Sequence, residues 1–525
     1  MKMFRSSIEP LEARIAPATL VGNVLSYTDI DGDLVKVTFT HATMAAGDFT
    51  FSTGTANDGV DTPRTLDNIN LVGKAGGGFT LTATPHGGKG DSHANVGTIK
   101  ANLTDLGTVK VDGDVAIVIA GSGNAGTVGL KSFTALSIGA SSTNTNTSTI
   151  YNAGVFTVKT DVINTELDFT GGVKTVFIGG NLEETVDGLF RHISVTGNVG
   201  AITVGGSIHS YAGATGGILI QSGTQAGPIK VGGSLDGSEI RVEQALTSLT
   251  IGHDVLGREG RTYSGVIRLF DDVGSIKIGG SLLGADNTSN TATVEAKEAG
   301  SITIGGSVRG GTFTLNQTFG ANGGVFADQV GTLAIGGDLI AGVNTSGHTT
   351  FATGAINIDG TVGTLTIGGS ILGDATNRVL ISVGANGTTG PVNAIKTLIV
   401  KHSVRYGSLL AGYNSATPRN LESGFGSITV GGDFRGSFIT AGADTGSDGI
   451  PGNTDDHTVN TVATIGSVKI GGALTGIAGS PTPYYIYAPI IMKATIGKAV
   501  YTHAQLAGHA VDFNAIGKAA IISVN

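Results

Sequence analysis

One phrase recurs along most of this chain and restricts its fold more than any other feature: Gly-Ser-Ile-x-Ile-Gly-Gly-Ser-Leu. It runs Ala201-Ile202-Thr203-Val204-Gly205-Gly206-Ser207-Ile208, then Pro228 to Leu235, Ser275 to Leu282, Ser301 to Val308 and Thr332 to Leu339. Later copies are Thr364 to Ile371, Ser427 to Phe434 and Ser467 to Leu474, with weaker ones at Leu249 to Val255, Leu398 to Val404 and Thr495 to Val500. In Ser301-Ile302-Thr303-Ile304 the two isoleucines share one face, because side chains alternate along an extended strand. Gly305-Gly306 reads as a corner made through torsions open to glycine alone. Val308 then returns an apolar side chain to the same interior, and the Ser or Asp after the glycines can satisfy backbone groups at the corner. Stacked copies would set Ile over Ile, burying an apolar column that no single repeat could bury alone.

Spacing fixes the girth. Between first corner glycines the interval is 27 residues from Gly205 to Gly232, 20 to Gly252, 27 to Gly279 and 26 to Gly305, then 31 to Gly336 and 32 to Gly368. The 20-residue interval also separates Lys159 from Gly179 and Gly497 from Gly517. Such a floor with variable additions describes one coil carrying loops of different length, since three strands of about 4–5 residues plus corners fill it. Leucine-rich repeats share the length but not this pattern. The predicted fold is all-β, a parallel β-helix solenoid, right-handed as parallel crossovers are.

Coils of about 20–33 residues are expected over residues 96–525. The extra residues are polar or Gly-rich loops, notably 441–460 inside the longest interval, Gly431 to Gly471. Residues 19–95 lack the phrase but keep strand patterning in Leu34 to Phe39 and Phe79 to Ala83. They are expected to form a β capping module over the open end of the solenoid.

Composition agrees. Gly numbers 87 of 525 residues and charged residues are 14%, below the roughly 25% of an average soluble protein. Val, Ile and Thr beside Gly and Asn suit narrow strands with tight corners. A net charge of −9 argues against general binding to nucleic acid or anionic membranes. With no cysteine, disulfides, thiolate metal sites and cysteine nucleophiles are excluded together. No apolar run approaches the ~20 residues of a membrane span; Val115 to Ala120 reads as a buried strand.

The first residues carry a motif, Ile8-Glu9-Pro10-Leu11-Glu12-Ala13-Arg14 followed by Ile15-Ala16-Pro17, and no secretory apolar stretch. It resembles the segment that opens many repetitive, autotransporter-like proteins of planctomycete- and verrucomicrobium-type bacteria. The Gly-Ser-Ile-x-Ile-Gly-Gly-Ser-Leu repeats are similar to theirs as well. That resemblance implies an exported protein, extracellular or at the cell surface, with residues 1–18 disordered or processed, and it implies no defined activity. The repeat pattern is expected to run to Asn525, with no translocator barrel behind it.

Two acidic groups could hold calcium, the one cofactor the sequence suggests, though none is required. Asp29-Ile30-Asp31-Gly32-Asp33 spaces carboxylates two apart around a glycine, as many calcium loops begin. An EF-hand is excluded, because its twelfth position falls on Thr40. The competing reading is an Asx-rich turn before a strand. Asp444, Asp448 and Asp455, with Asn453 and Asp456, sit in the Gly-rich loop before His457; a solvated acidic loop is the competing reading there.

β-Helices also serve as polysaccharide enzymes. The acid, Gly-His-Gly and Arg-Ile-Lys signatures of polygalacturonase-like enzymes do not appear in order; Asn453-Thr454-Asp455-Asp456 only imitates part of them. Arg258, Arg261, Arg268, Asp271 and Asp272 form the densest mixed-charge stretch and read as surface ion pairs. His253 and His402 replace corner glycines without zinc-ligand spacing. Tyr484, Tyr485 and Tyr487 are the one aromatic cluster, read as packing near the end of the stack. No catalytic residue is assigned. The expected function is that of a noncatalytic exported β-solenoid acting as a surface, adhesive or scaffolding protein, with extracellular polysaccharide or other surface components as partners. The alternative is a polysaccharide lyase or glycoside hydrolase with a groove on the β-helix.

Overall fold

Strand alternation and stacking account for nearly all of the architecture. A computed structural model describes residues 18–524 apart from 54–63, 88–89, 141–144, 186–191, 211–215, 222, 314–320, 345–352, 416, 445–456, 459–461, 480–483 and 514–517. The N-terminal motif, Ile8 to Pro17, lies outside the described residues. The chain is all-β and parallel strands dominate it, as a solenoid requires. It divides into two units, Met1–Ile178 and Gly179–Asn525.

The first unit begins antiparallel. Thr19–Val21, Val24–Thr28, Asp33–Thr40 and Gly78–Pro85 pair in that order, and Phe49–Thr53 pairs with Arg64–Asn70. From Val96 onward the pairing is parallel: Val96–Asn102 lies on Arg64–Asn70 and under Asp114–Gly121. A second ladder stacks Gly78–Pro85, Leu106–Val111, Leu130–Ala135, Ala153–Val158 and Val173–Ile178. Its register places Phe79, Val109, Phe133, Phe156 and Val176 in one buried file. Phe133 and Phe156 stack at 4.6 Å, and Phe169 meets Phe156 edge-on at 5.4 Å. Such ring pairs add about 0.5–1.5 kcal/mol beyond the area they bury.

In the second unit each coil contributes three strands. The repeated phrase forms the first, and its register sets Ile202, Ile229, Leu249, Ile276, Ile302, Leu333, Leu365, Leu398, Ile428, Val468 and Ala494 directly over one another. The residue after the corner starts a two-residue second strand, giving the buried file Ile208, Leu235, Val255, Leu282, Val308 and onward. The third strand supplies Ile240, Ile267, Val294, Val325 and Ile356. Each fully buried aliphatic side chain stabilises the fold by about 1.5–3 kcal/mol.

The corner glycines have a different cause from the one expected. None of Gly232, Gly252, Gly279, Gly305 and Gly336 has a positive φ, so torsion does not require glycine there. Crowding does: a Cβ on Gly232 would overlap the carbonyl oxygen of Gly205, and one on Gly336 that of Gly305. Successive coils touch backbone to backbone at this corner. The residue after the glycines ties them further. Asn181, Ser207, Ser234, Asp254, Ser281, Ser307, Asp338, Ser370, Ser403 and Asp433 each accept, through the side chain, the backbone N–H of the equivalent residue one coil later.

The pattern changes before the chain end. Stacking of the first strand stops at Lys493–Ile496, where Gly497 (φ +58°) turns the chain into an antiparallel hairpin with Ala499–Thr502. The copy at Thr495 to Val500 is therefore no coil corner. Lys498 and Ala499 stand where the repeat has Gly-Ser, and Ala473, one coil earlier, offers no side-chain acceptor. After a helix at His503–Leu506, His509–Asp512 pairs antiparallel with Ala519–Ser523, which lies parallel on Tyr484–Ala488. Among the described residues no helix is long and apolar enough to cross a membrane.

Candidate functional site

Alternation that buries one face of the third strand exposes the other. On that face Arg241, Arg268, Glu295, Phe326 and Asn357 follow one another in register, about 4.8 Å apart as hydrogen-bonded strands are; Ser382, next in line, is buried, its hydroxyl donating to the Tyr413 carbonyl. A groove of about 560 Å³ runs over this row, lined by Arg268, Phe270, Glu295, Phe326, Asn357 and Asp359 among others.

Most of its charges are tied to a partner. The Arg268 guanidinium lies 4.0 Å from the Tyr263 ring centroid and 3.4 Å from a carboxylate oxygen of both Glu239 and Glu295. At the rim Lys297 reaches Asp271 at 2.9 Å and Asp272 at 3.5 Å. At the other end the hairpin of Tyr413–Asn414 with Thr417–Pro418 folds over the row. Asn357 donates to Asn414 at 2.8 Å, and the Asn414 amide donates to Asp359 at 2.6 Å. Asp359 also accepts from Asn386 at 2.6 Å and faces Arg419 at 3.2 Å. Burial pushes the Asp359 carboxyl up, but the amides of Asn414 and Asn386 and the Arg419 charge outweigh it and hold it below the usual carboxylate range. The hydrogen bond from Lys297 lowers Asp271 likewise.

The mixed-charge stretch does not converge. Arg258 forks onto Asp236 at 2.7 and 2.5 Å, beside the corner strand. Arg261 is buried and donates to the Gly237 carbonyl at 3.2 Å. Only Arg268 reaches the groove floor, with Asp271 and Asp272 at its edge. His253 and His402 are exposed at their corners. Tyr484 is buried against Phe438 at 5.2 Å, and the Arg378 guanidinium caps Phe438 at 4.4 Å, a packing role.

In the first unit, Asp29, Asp31 and Asp33 do come together, one carboxylate oxygen of each lying within 4.8 Å of the others. Asp29 takes the backbone N–H of Asp33 at 2.7 Å and of Gly32 at 3.2 Å, the hydrogen bonds of the expected Asx turn. Asp31 accepts the N–H of Asp91 at 3.2 Å. Burial, then the neighbouring Asp31, push Asp29 up to about 8. Of the second acidic group, Asp448 and Asp455 lie outside the described residues; Asp444 is described through its backbone, paired antiparallel with His457.

Glu295, Phe326, Asn357, Asp359 and Asn414 escaped the sequence reading. A signal for three of them existed. Counting back from the first corner glycine, Arg241, Arg268 and Asn357 stand 11 residues before Gly252, Gly279 and Gly368, while Glu295 and Phe326 stand 10 before Gly305 and Gly336. In these coils the variable loops fall ahead of that stretch, so the offset barely drifts; after Val379–Val383 and Phe438–Ala441 the insertion follows the strand instead, and the offset is lost. Comparison with known protein families, with curated proteins and with solved structures finds no match for this chain.

Proposed function

We propose that this chain is an exported, noncatalytic β-solenoid that acts as a surface, adhesive or scaffolding protein and holds an extracellular polysaccharide or another surface component in the groove of its third sheet. One observation carries the reading. The groove offers a half-exposed ring, Phe326, beside amides and paired charges, while Asp359 is held ionised by three donors. Rings and amides suit a sugar's apolar face and hydroxyls. A carboxyl held below its usual range is a poor general acid, which glycoside hydrolysis needs with a raised pKa. The export side of the proposal rests on the N-terminal segment and its resemblance.

Incubating the full chain with acidic and neutral polysaccharides tests it. Saturable binding without new reducing ends or unsaturated products is expected, together with recovery outside the cytoplasm on cell fractionation. A second reading, a polysaccharide lyase, draws on Arg268, Lys297 and Glu295 sharing one groove. Turnover that disappears in Arg268→Ala would replace the first reading with the second.

A further inference from the structure

We propose that Asp29, Asp31 and Asp33 bind a hard divalent cation, with Ca²⁺ the ion that fits. This inference is independent of the groove and of the function proposed for it. Asp33 opens the strand Asp33–Thr40, whose alternation buries Asp33, Val35, Val37 and Phe39 and exposes the residues between. A carboxylate thus stands at the end of a core-facing stripe, fully buried. The chain at Gly90 passes so close that a Cβ there would overlap it, yet among the described residues neither Asp33 oxygen has a hydrogen-bond partner. The Tyr27 hydroxyl, on the neighbouring strand, is likewise buried and without a partner among the described residues. No ion pair joins a Lys, Arg or His to any of the three acids among the described residues.

An ionised carboxylate sealed from water without a counter-charge is strongly unfavourable. A cation at the meeting point of the three groups relieves it. Carboxylate oxygens select hard ions over zinc or copper. Ca²⁺ takes oxygens at about 2.3–2.6 Å, so opposed ligands sit about 4.6–5.2 Å apart, whereas Mg²⁺ demands a tighter octahedron. The acids' oxygens, all within 4.8 Å of one another, are close enough to share one ion. A cavity of about 170 Å³, lined by Asp29, Asp31, Thr65, Asp91, His93 and Asn95, leaves room beside Asp29 and Asp31 for the waters that complete six to eight ligands.

The test titrates the full chain with CaCl₂ by calorimetry and, separately, with Tb³⁺, a Ca²⁺ substitute whose emission a nearby tyrosine sensitises. Saturable heat is expected, with Tb³⁺ emission excited at tyrosine wavelengths and displaced by Ca²⁺. Asp33→Asn should weaken binding at least tenfold. Asp31→Asn, at an exposed position, should do the same while keeping the chelator-treated protein's circular dichroism, so loss of binding is separable from loss of fold. Tyr27→Phe should cut the Tb³⁺ emission and keep the Ca²⁺ heat. Absence of saturable heat in the wild type, or heat unchanged by Asp31→Asn, overturns the proposal.

Discussion

The carboxylate of Asp254 accepts the backbone N–H of Ser281 at 2.7 Å, bridging two coils at the same corner position. Ser281 passes the relationship on, accepting the N–H of Ser307 at 3.1 Å. A side-chain rung therefore runs beside the backbone ladder. Asp254→Ala should orphan the Ser281 amide and cost about 1–3 kcal/mol. Asp254→Ser should cost far less, since serine fills this role in neighbouring coils. Faster hydrogen exchange at Ser281 in the alanine variant alone checks the assignment.

Gly336→Ala should destabilise the second unit severely, because the new Cβ would overlap the Gly305 carbonyl and force two coils apart. Overpacking of this kind costs about 1–3 kcal/mol. Gly47→Ala is the control: that glycine has no positive φ and open space beyond it. Denaturant midpoints of the two variants should differ clearly, with Gly47→Ala near wild type.

His192 gives the second unit an acid-sensitive point. It is fully buried, neither ring nitrogen has a partner among the described residues, and burial, then the nearby His209, hold its pKa down from 6.5 to about 4. Between those values the unfolded chain binds the proton and the folded one does not, so stability falls as pH drops through that window. By pH 4 the loss should be on the order of 3 kcal/mol. His192→Leu should flatten this acid slope between pH 7 and pH 4, read from hydrogen exchange of Ile193–Thr196.

Phe326→Ala should weaken polysaccharide binding about two- to tenfold, the order expected from losing a ring contact worth about 0.5–1.5 kcal/mol. The melting temperature should hardly move, because the ring lies on the outer face. Affinity electrophoresis in polysaccharide gels measures the first effect and thermal unfolding the second.

Much of the fold was legible because a period of two is a local property. Ser301 to Ile304 announces its buried face without reference to any other coil, and Ile302 does stack on Ile276 and under Leu333. The reason for Gly305 was not legible: the atom that excludes a side chain belongs to another coil, Gly279. Starting the strand at Leu34 hid that Asp33 shares a face with Val35 and Val37. Asn414 was out of reach for a third reason. It joins Asp359 from a hairpin 55 residues on, outside any repeat offset.

The rung of Ser and Asp acceptors has a direction. Each corner offers an acceptor forward and spends its amide backward, so any coil can be copied and inserted without leaving a donor stranded. Ala473 takes the bond from Asp433 and offers none. The run of side-chain acceptors therefore ends one coil before the chain turns back at Gly497.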